Sequence, residues 1–386
     1  MCGHVHPAVA VTVGPGGSTE KKSTSSVVNV VQDSTRQQDL VSSTTSEAEP
    51  RSESSAVFER DRDRPSFGGR LLTDEANVFS QNAWDHVEMT EEDRQRALAK
   101  IAEHAQNAVD PAVRDDVVAN APQYWDQFYT TNQEKFFKER QWLPIEFPEL
   151  FAPPQGRTAA NIADDLTDLP FTIMEVGCGA GGATVFPLLK EWRKLADAET
   201  PPGEPAADPN LLIHACDFSS VAVQHLKTLD EFDPKHINAF VYDLASPDIP
   251  ESVAAESVDI VVLIFIFSAL PPPKWKQAME NVYKILKPGG LVLLRDYARL
   301  DLAQVRMKKG RLLEENLYMR GDKTMVYFFT TDEIRELAEQ QGFEITQLGL
   351  DQRLLVNRGK QLRMNRNWLQ CKLRKPHVVG TVSRSE

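Results

Sequence analysis

Residues 1–64 show no sustained alternation of apolar and polar positions and almost no aromatics. Runs such as SSTTSEAEPRSESS offer too little apolar surface to offset the entropy of ordering, so a disordered tail is expected there. Patterned sequence begins near Phe67. Apolar residues recur at Ala97, Leu98, Ile101, Ala102 and Ala105, the spacing of one helix face. They follow Thr90 and the acidic turn Glu91, Glu92, Asp93, which suits a helix start. A second helix is predicted over 122–137, where Tyr124, Trp125, Phe128 and Tyr129 crowd together.

From Phe171 the period changes. FTIMEV, LLIHACD, AFVYD, VDIVVLIFIF and LVLLRD read as five short buried strands. Helical stretches separate most of them, over 184–195, from Ser219 or Ser220 onward, and over 275–286, the last stopped by KPGG. Such alternation implies a parallel sheet covered on both faces. Downstream we expect a hairpin over 317–329, a helix over 331–341, and strands over 343–356 and 367–373. Residues 196–210 form a polar, proline-rich insertion. The expected fold is α/β and Rossmann-like, with a seven-stranded, mostly parallel sheet. The units are the tail (1–64), an N-terminal helical region (65–155), the α/β domain (156–376) and a flexible end (377–386).

Composition narrows this only a little. With 386 residues, 41% of them hydrophobic, the chain can bury a sizeable core. Its longest apolar run, 260–267, has the length of a buried strand and falls far short of a membrane span. Four cysteines match no zinc spacing, so no metal and a reducing compartment are expected. The start lacks a secretory pattern and is poor in arginine, which leaves the cytoplasm as the expected location. The net charge of −13 argues against a polyanionic partner, but distribution outweighs the sum. Segment 353–375 carries eight cations (Arg353, Arg358, Lys360, Arg363, Arg366, Lys372, Arg374, Lys375) and no acid. Such a run is either a solvated face or a phosphate-binding one.

The chemistry gathers at strand ends. EVGCGAG (175–181) follows the first strand directly, and its glycines let the backbone turn sharply and approach a ligand. Dinucleotide enzymes use a related loop. Here, however, Glu175 precedes the glycines, and Asp217 and Asp243 end the second and third strands. Asp217 is placed for ribose hydroxyls and Asp243 for an adenine amino group, all converging on the crevice at the carboxyl ends of the strands. Acids suit S-adenosylmethionine, which has no phosphate, better than a pyrophosphate cofactor. Each acid alone could be a helix cap; together they imply a class I, S-adenosylmethionine-dependent methyltransferase. Leu263 to Pro272, LIFIFSALPP, lacks the Asp/Asn-Pro-Pro-aromatic string of exocyclic-amine methylation. Phe265 and Phe267 are either an aromatic lip or core.

Several strings resemble one family, the eukaryotic tRNA N3-methylcytidine methyltransferases. They are NAWDHVE (82–88), YWDQFYTTNQEKFFKERQWLPIEFPEL (124–150), EVGCGAG, ACDFSSVAV (215–223), LIFIFSA (263–269), RDYARLDLAQVRMKKGR (295–311), NLYMRGDKTMVYFFT (316–330) and VNRGKQLRMNRNWLQCK (356–372). NAWDHVE is similar to the branch acting on threonine tRNAs. The resemblance implies a cofactor site of Trp125, Tyr129, Gly177, Asp217, Asp243, Leu244 and Ile264, with the helix bearing Trp125 and Tyr129 folded over the cofactor. It implies that Arg140 joins the cofactor and RNA sites. It further implies that Arg358, Lys360, Arg363, Arg366 and Lys372 help grip a tRNA anticodon stem-loop whose cytidine 32 is the target. Room is left for a tRNA-associated protein partner, and a monomer is expected. Two positions depart from the family pattern: GCGAGGATVFP is one residue longer than usual, and RDYA replaces RDYG at Ala298.

Cytosine N3 is unprotonated at neutral pH, so positioning and charge stabilisation matter more than a general base. Asp296 is the candidate electrostatic partner, with Arg295 orienting phosphate or Asp296; a structural Arg–Asp pair is the alternative. A protein or small-molecule methyltransferase on this fold, or a non-catalytic RNA-binding protein, are the rival readings.

Overall fold

The computed structural model describes residues 69–132, 139–140, 142–151, 169–200, 202–205 and 207–377. The expected tail over 1–64, residues 378–386 of the expected flexible end, and the end of the helix expected over 122–137 lie outside them. The N-terminal region supplies strand β1 (Ala83–Asp85) and helices α1 (Glu91–Ala105), α2 (Pro111–Ala119), α3 (Ala121–Asn132) and α4 (Leu143–Glu146). Thr90 caps α1 by accepting from Asp93 N, as the acidic first turn led us to expect. The short α2, capped by Asp110 with Pro111 in its first turn, was not anticipated.

The α/β part runs β2 (Phe171–Val176), α5 (Val185–Glu199), β3 (Leu211–Asp217), α6 (Ser220–Thr228), β4 (Ile237–Val241), β5 (Val258–Ile264), α7 (Trp275–Ile285) and β6 (Leu286–Tyr297). Then come α8 (Leu302–Val305), β7 (Leu312–Glu314), β8 (Leu317–Met319), β9 (Met325–Tyr327), α9 (Thr331–Gln341), β10 (Glu344–Asn357) and β11 (Leu362–Arg374). The main sheet has eight strands in the order β1-β10-β11-β6-β5-β2-β3-β4. From β6 to β4 every pairing is parallel, and β11, β10 and β1 add antiparallel strands at the other side. The eighth strand is β1, so the N-terminal region closes one sheet edge. Strands β7, β8 and β9 form a separate small sheet.

Alternate residues of the central strands feed two cores. Met174, Val261 and Val292 pack on the side of Trp275 and Val282. Ile173, Val262 and Leu293 face Leu188 and Trp192. KPGG does stop α7, but it is the irregular start of β6 rather than a free turn, with Gly289 at φ 82° and a register shift opposite Val258 and Ile260. Strand β11 starts five residues before the expected strand. Its residues 362–366 pair only with β10, so the hairpin continues past the end of β6. Ala298 lies outside the left-handed region, which Leu300 occupies instead at φ 66°, so no glycine is required at that departure. Among the described residues no helix is long and apolar enough to cross a membrane.

Candidate active site

One cavity opens at the carboxyl ends of the parallel strands. Its first half is the glycine loop after β2. Gly177 has φ 67°, and a Cβ there would overlap the Ile266 side chain. Gly179 has φ 54°, and its Cβ would come within 2.8 Å of the Tyr129 hydroxyl. A side chain at either position is therefore strained and displaces a neighbour. Asp217, buried at the end of β3, accepts from Gly179 N (3.0 Å) and from Ser219 N (2.9 Å). It therefore ties the loop to the start of α6 while lining the cavity. Burial pushes its carboxyl up to about 6, against the lowering effect of those backbone donors. The segment holding the extra residue, 182–183, lies between the glycine loop and α5 and is spanned by Phe186 N donating to Gly181 O (3.2 Å). Cys178 is buried and its thiol pushed far up by burial, which fits a small loop residue and not a nucleophile.

Asp243 and Leu244 follow β4. Asp243 accepts from Ala245 N (2.9 Å) and from Lys274 Nζ (3.2 Å). Their loop is held from below by Asn281, whose amide donates to Leu244 O (2.8 Å) and Ser246 O (2.7 Å). Sequence reading missed Asn281. The available signal was an amide at helical spacing within the apolar stripe Ala278, Val282 and Ile285 of α7, where the structure buries it fully. Helix α3 covers this half of the cavity with Trp125, Phe128 and Tyr129. Its anchor is Asp126, which accepts from Ser219 Oγ (2.6 Å) and Val221 N (3.3 Å) at the start of α6. Nothing in the local pattern singled out Asp126.

At the floor, Glu175 is buried with its carboxyl pushed up to about 7 by burial. Arg140 reaches it at 3.4 Å and donates to Thr184 Oγ1 (2.8 Å). The other Glu175 oxygen, Oε2, has no hydrogen-bond partner among the described residues. Arg140 is thus inside the cavity wall, beside the glycine loop, and not on an outer basic face.

The second half of the cavity is aromatic and cationic. Ile264 ends β5, and Phe265 follows at φ 61°, an outlier for a bulky residue. Its ring lies 4.8 Å from that of Tyr297. Phe267, by contrast, is fully buried core. Arg295 lies between two indoles, 4.8 Å from Trp142 and 5.0 Å from Trp368. It donates to Gln370 Oε1 (2.5 Å) and to Asp351. Asp351 also accepts from Arg353 Nε (2.9 Å), and Arg353 reaches Glu146 Oε1 (3.1 Å) and Asp85 Oδ1 (3.5 Å). Burial alone would raise Asp351; Arg295 and Arg353 outweigh it and hold the carboxyl below its ordinary value.

Asp296 is elsewhere. It is fully buried, accepts from Ser268 N (2.9 Å) and Tyr297 N (2.8 Å), and does not line the cavity. Nor does it pair with Arg295, because successive strand residues face opposite sides of a sheet. The basic segment is also dispersed. Arg366 is buried against Asp301 (2.9 Å), Lys372 against Glu149 (2.6 Å) and Lys375 against Glu256 (2.8 Å). Arg363 makes an exposed pair with Glu75 (2.8 Å). Arg358 and Lys360, at the tip of the β10–β11 hairpin, are exposed.

A methyltransferase-domain family model matches residues 132–348. The chain is 43% identical over 333 residues to the tRNA N(3)-cytidine methyltransferase METTL2 of Danio rerio, covering 81% of this chain and 90% of that protein. The chain belongs to the tRNA N(3)-cytidine methyltransferases. A second relative, the tRNA N(3)-methylcytidine methyltransferase trm140 of Schizosaccharomyces pombe, is 44% identical over 310 residues, 80% of this chain and 92% of that one. The tRNA(Thr) (cytosine(32)-N(3))-methyltransferase of Saccharomyces cerevisiae is 47% identical over 313 residues, 80% of this chain. The chain spans only 46% of that longer yeast protein. Among solved structures, a SAM-dependent methyltransferase of Methanosarcina mazei aligns with 54% of this chain and 93% of its own, at 16% identity and a TM-score of 0.37.

The family's cofactor is S-adenosylmethionine, and the residues present fit it. The unpartnered Glu175 Oε2 suits an ammonium group, the glycine loop leaves room where a Cβ would intrude, and the strand-end acids Asp217 and Asp243 suit hydroxyl and amino donors.

Proposed function

We propose that the chain methylates N3 of cytidine 32 in the anticodon loop of tRNA, with threonine tRNAs as substrates, acting in the cytoplasm as a monomer. Its relatives' substrates motivate this reading. The observation that carries it is the shape of the cavity: one half is fitted to the cofactor, and it is continuous with a half walled by Phe265, Tyr297, Trp142 and Trp368. Flat aromatic faces suit a planar base.

S-adenosylmethionine, when bound, supplies an electrophilic methyl group, and positive charge ends on the methylated base. Glu175, Asp217 and Asp243 would hold the cofactor, with Trp125 and Tyr129 of α3 excluding water above it. The base N3 carries a free lone pair, so no residue need remove a proton. What the walls must do is orient the ring and tolerate the new cation. Aromatic faces do both, since their π-systems attract cations. Arg295 and Arg353 would oppose such a charge, but Asp351, Glu146 and Asp85 offset theirs. A stacked or paired N3 is inaccessible, so the nucleotide must leave its stack to enter the cavity.

The test is methyl transfer from labelled S-adenosylmethionine to total tRNA by the purified chain, followed by nucleoside mass spectrometry. We expect 3-methylcytidine, mapped to position 32 of threonine tRNAs. Label on peptide or metabolite and none on tRNA would overturn the proposal. Activity of the purified chain alone would also show that no partner protein is required.

A further inference from the structure

In a protein of net charge −13, segments 302–313 (LAQVRMKKGRLL) and 357–366 (NRGKQLRMNR) each carry four cations and no acid. They are distant in sequence and adjacent in the fold. Asp301, the N-cap of α8, accepts from Arg366 Nε (2.9 Å) and Asn367 N (2.8 Å), which fixes α8 against β11 beyond the end of β6. Tyr297 faces the cavity and also packs on the cluster of Ala303, Met307 and Phe328. Loop 306–310 is therefore one packed layer from the cavity, on the side where the hairpin extends past the sheet.

The cations of these segments divide into two kinds. Arg366 is committed to a buried carboxylate, and could hold phosphate only by abandoning it. Lys308 and Lys309 are exposed and make no ion pair among the described residues; the nearby Glu103 is already paired with Lys100 (2.6 Å). The loop is nevertheless held in place, because Gly310 N donates to Asn107 O (2.9 Å) and Met307 is buried. At the hairpin tip, Arg358 and Lys360 are exposed in the same way. A nucleotide whose base enters the cavity brings its two flanking phosphates to this rim. Exposed, uncommitted cations on a fixed frame are what a repeating phosphate backbone requires.

We propose that Lys308 and Lys309 form a phosphate-contacting patch that grips the RNA backbone together with Arg358 and Lys360. The inference rests on tRNA being the substrate. Its competitor is structural: both lysines lie near the carboxyl end of α1, where cations favour the helix dipole.

The experiment measures tRNA binding by the full chain from low to moderate salt for the wild type, K308E/K309E and K308R/K309R, with cofactor calorimetry and thermal melts on each. We expect K308E/K309E to bind at least tenfold more weakly at low salt. Its plot of log affinity against log salt should be shallower by about 1.5, from roughly 0.7–0.9 per phosphate contact. Cofactor affinity should be unchanged, and K308R/K309R should match the wild type. A K308E/K309E protein with wild-type affinity and slope would overturn the patch while leaving the methylation reading intact. A lowered melting temperature with an unchanged slope would assign the lysines to α1 and also overturn it. If the wild type binds no tRNA, the functional reading fails and the patch with it.

Discussion

Arg295 and Asp296 are neighbours in β6 that serve opposite faces of the sheet: the arginine lines the cavity between Trp142 and Trp368, while the aspartate holds Ser268 N and Tyr297 N from behind it. The aspartate thereby ties the far end of the turn that carries Phe265 to β6, while Phe265 N itself donates to Arg295 O (2.8 Å). This placement supports positioning of the aromatic wall rather than contact with substrate.

Asp296→Asn should therefore destabilise the protein, because an amide offers one accepting end to two buried N–H donors. Leaving one unpartnered costs about 1–3 kcal/mol. The expected result is a lower melting temperature and a raised KM for tRNA, with cofactor affinity little changed. Melts and steady-state kinetics decide it. Wild-type stability together with a collapsed kcat would point back to a direct role in catalysis.

Burial raises the carboxyls of Glu175 to about 7 and of Asp217 to about 6, above their ordinary values near 4. A raised folded-state pKa means that the fold binds protons the unfolded chain releases. Without cofactor, their contribution to stability is thus largest at low pH and is lost as pH rises through about 6–7. Cofactor binding should run the other way. An ammonium group prefers the Glu175 carboxylate, so affinity should fall by up to tenfold per pH unit below about 7. Calorimetry of wild type and Glu175→Gln across pH 5.5–8 is the check, given roughly this titration range. A Gln variant with the same pH slope would exclude Glu175.

Gly179→Ala places a Cβ 2.8 Å from the Tyr129 hydroxyl at a positive φ. The left-handed strain alone is about 1–2 kcal/mol. We expect cofactor affinity to drop at least tenfold, with partial recovery in Gly179→Ala/Tyr129→Phe, where the clashing oxygen is gone. Equal affinities for the single and double variants would show that strain alone is responsible.

Asn281→Ala removes the partner of two carbonyls under the Asp243–Leu244 loop. The loss should cost about 1–3 kcal/mol and raise KM for cofactor more than KM for tRNA. A change confined to tRNA KM would contradict this account.

The glycine loop, Asp217 and Asp243 were legible in the sequence because they follow strand ends, whose position determines their convergence. The arginine cluster was not. Its acids, Asp85, Glu146 and Asp351, sit on three separated segments, and only the antiparallel side of the sheet brings them together. The basic run at 353–375 looked continuous on paper, whereas Arg353 and Arg366 meet buried carboxylates and Lys372 and Lys375 are themselves buried beside Glu149 and Glu256. KPGG has the composition of a turn, yet pairing with β5 incorporates it into β6. Phe265 carries no sequence signature of its left-handed backbone.

Strand β1 pairs Ala83 with Leu355, Trp84 with Leu354 and Asp85 with Arg353. On a ribosome, its partner emerges about 270 residues later, roughly 15–55 s at ordinary synthesis rates. Through that interval Trp84, whose neighbours are Val78, Leu354 and Val356, lacks half of its burial site. The sheet edge is thus among the last parts of the molecule to be completed, and the indole of Trp84 should report its closure. A chain cut short before β10 would be left with an unsheltered strand, prone to pairing with other chains.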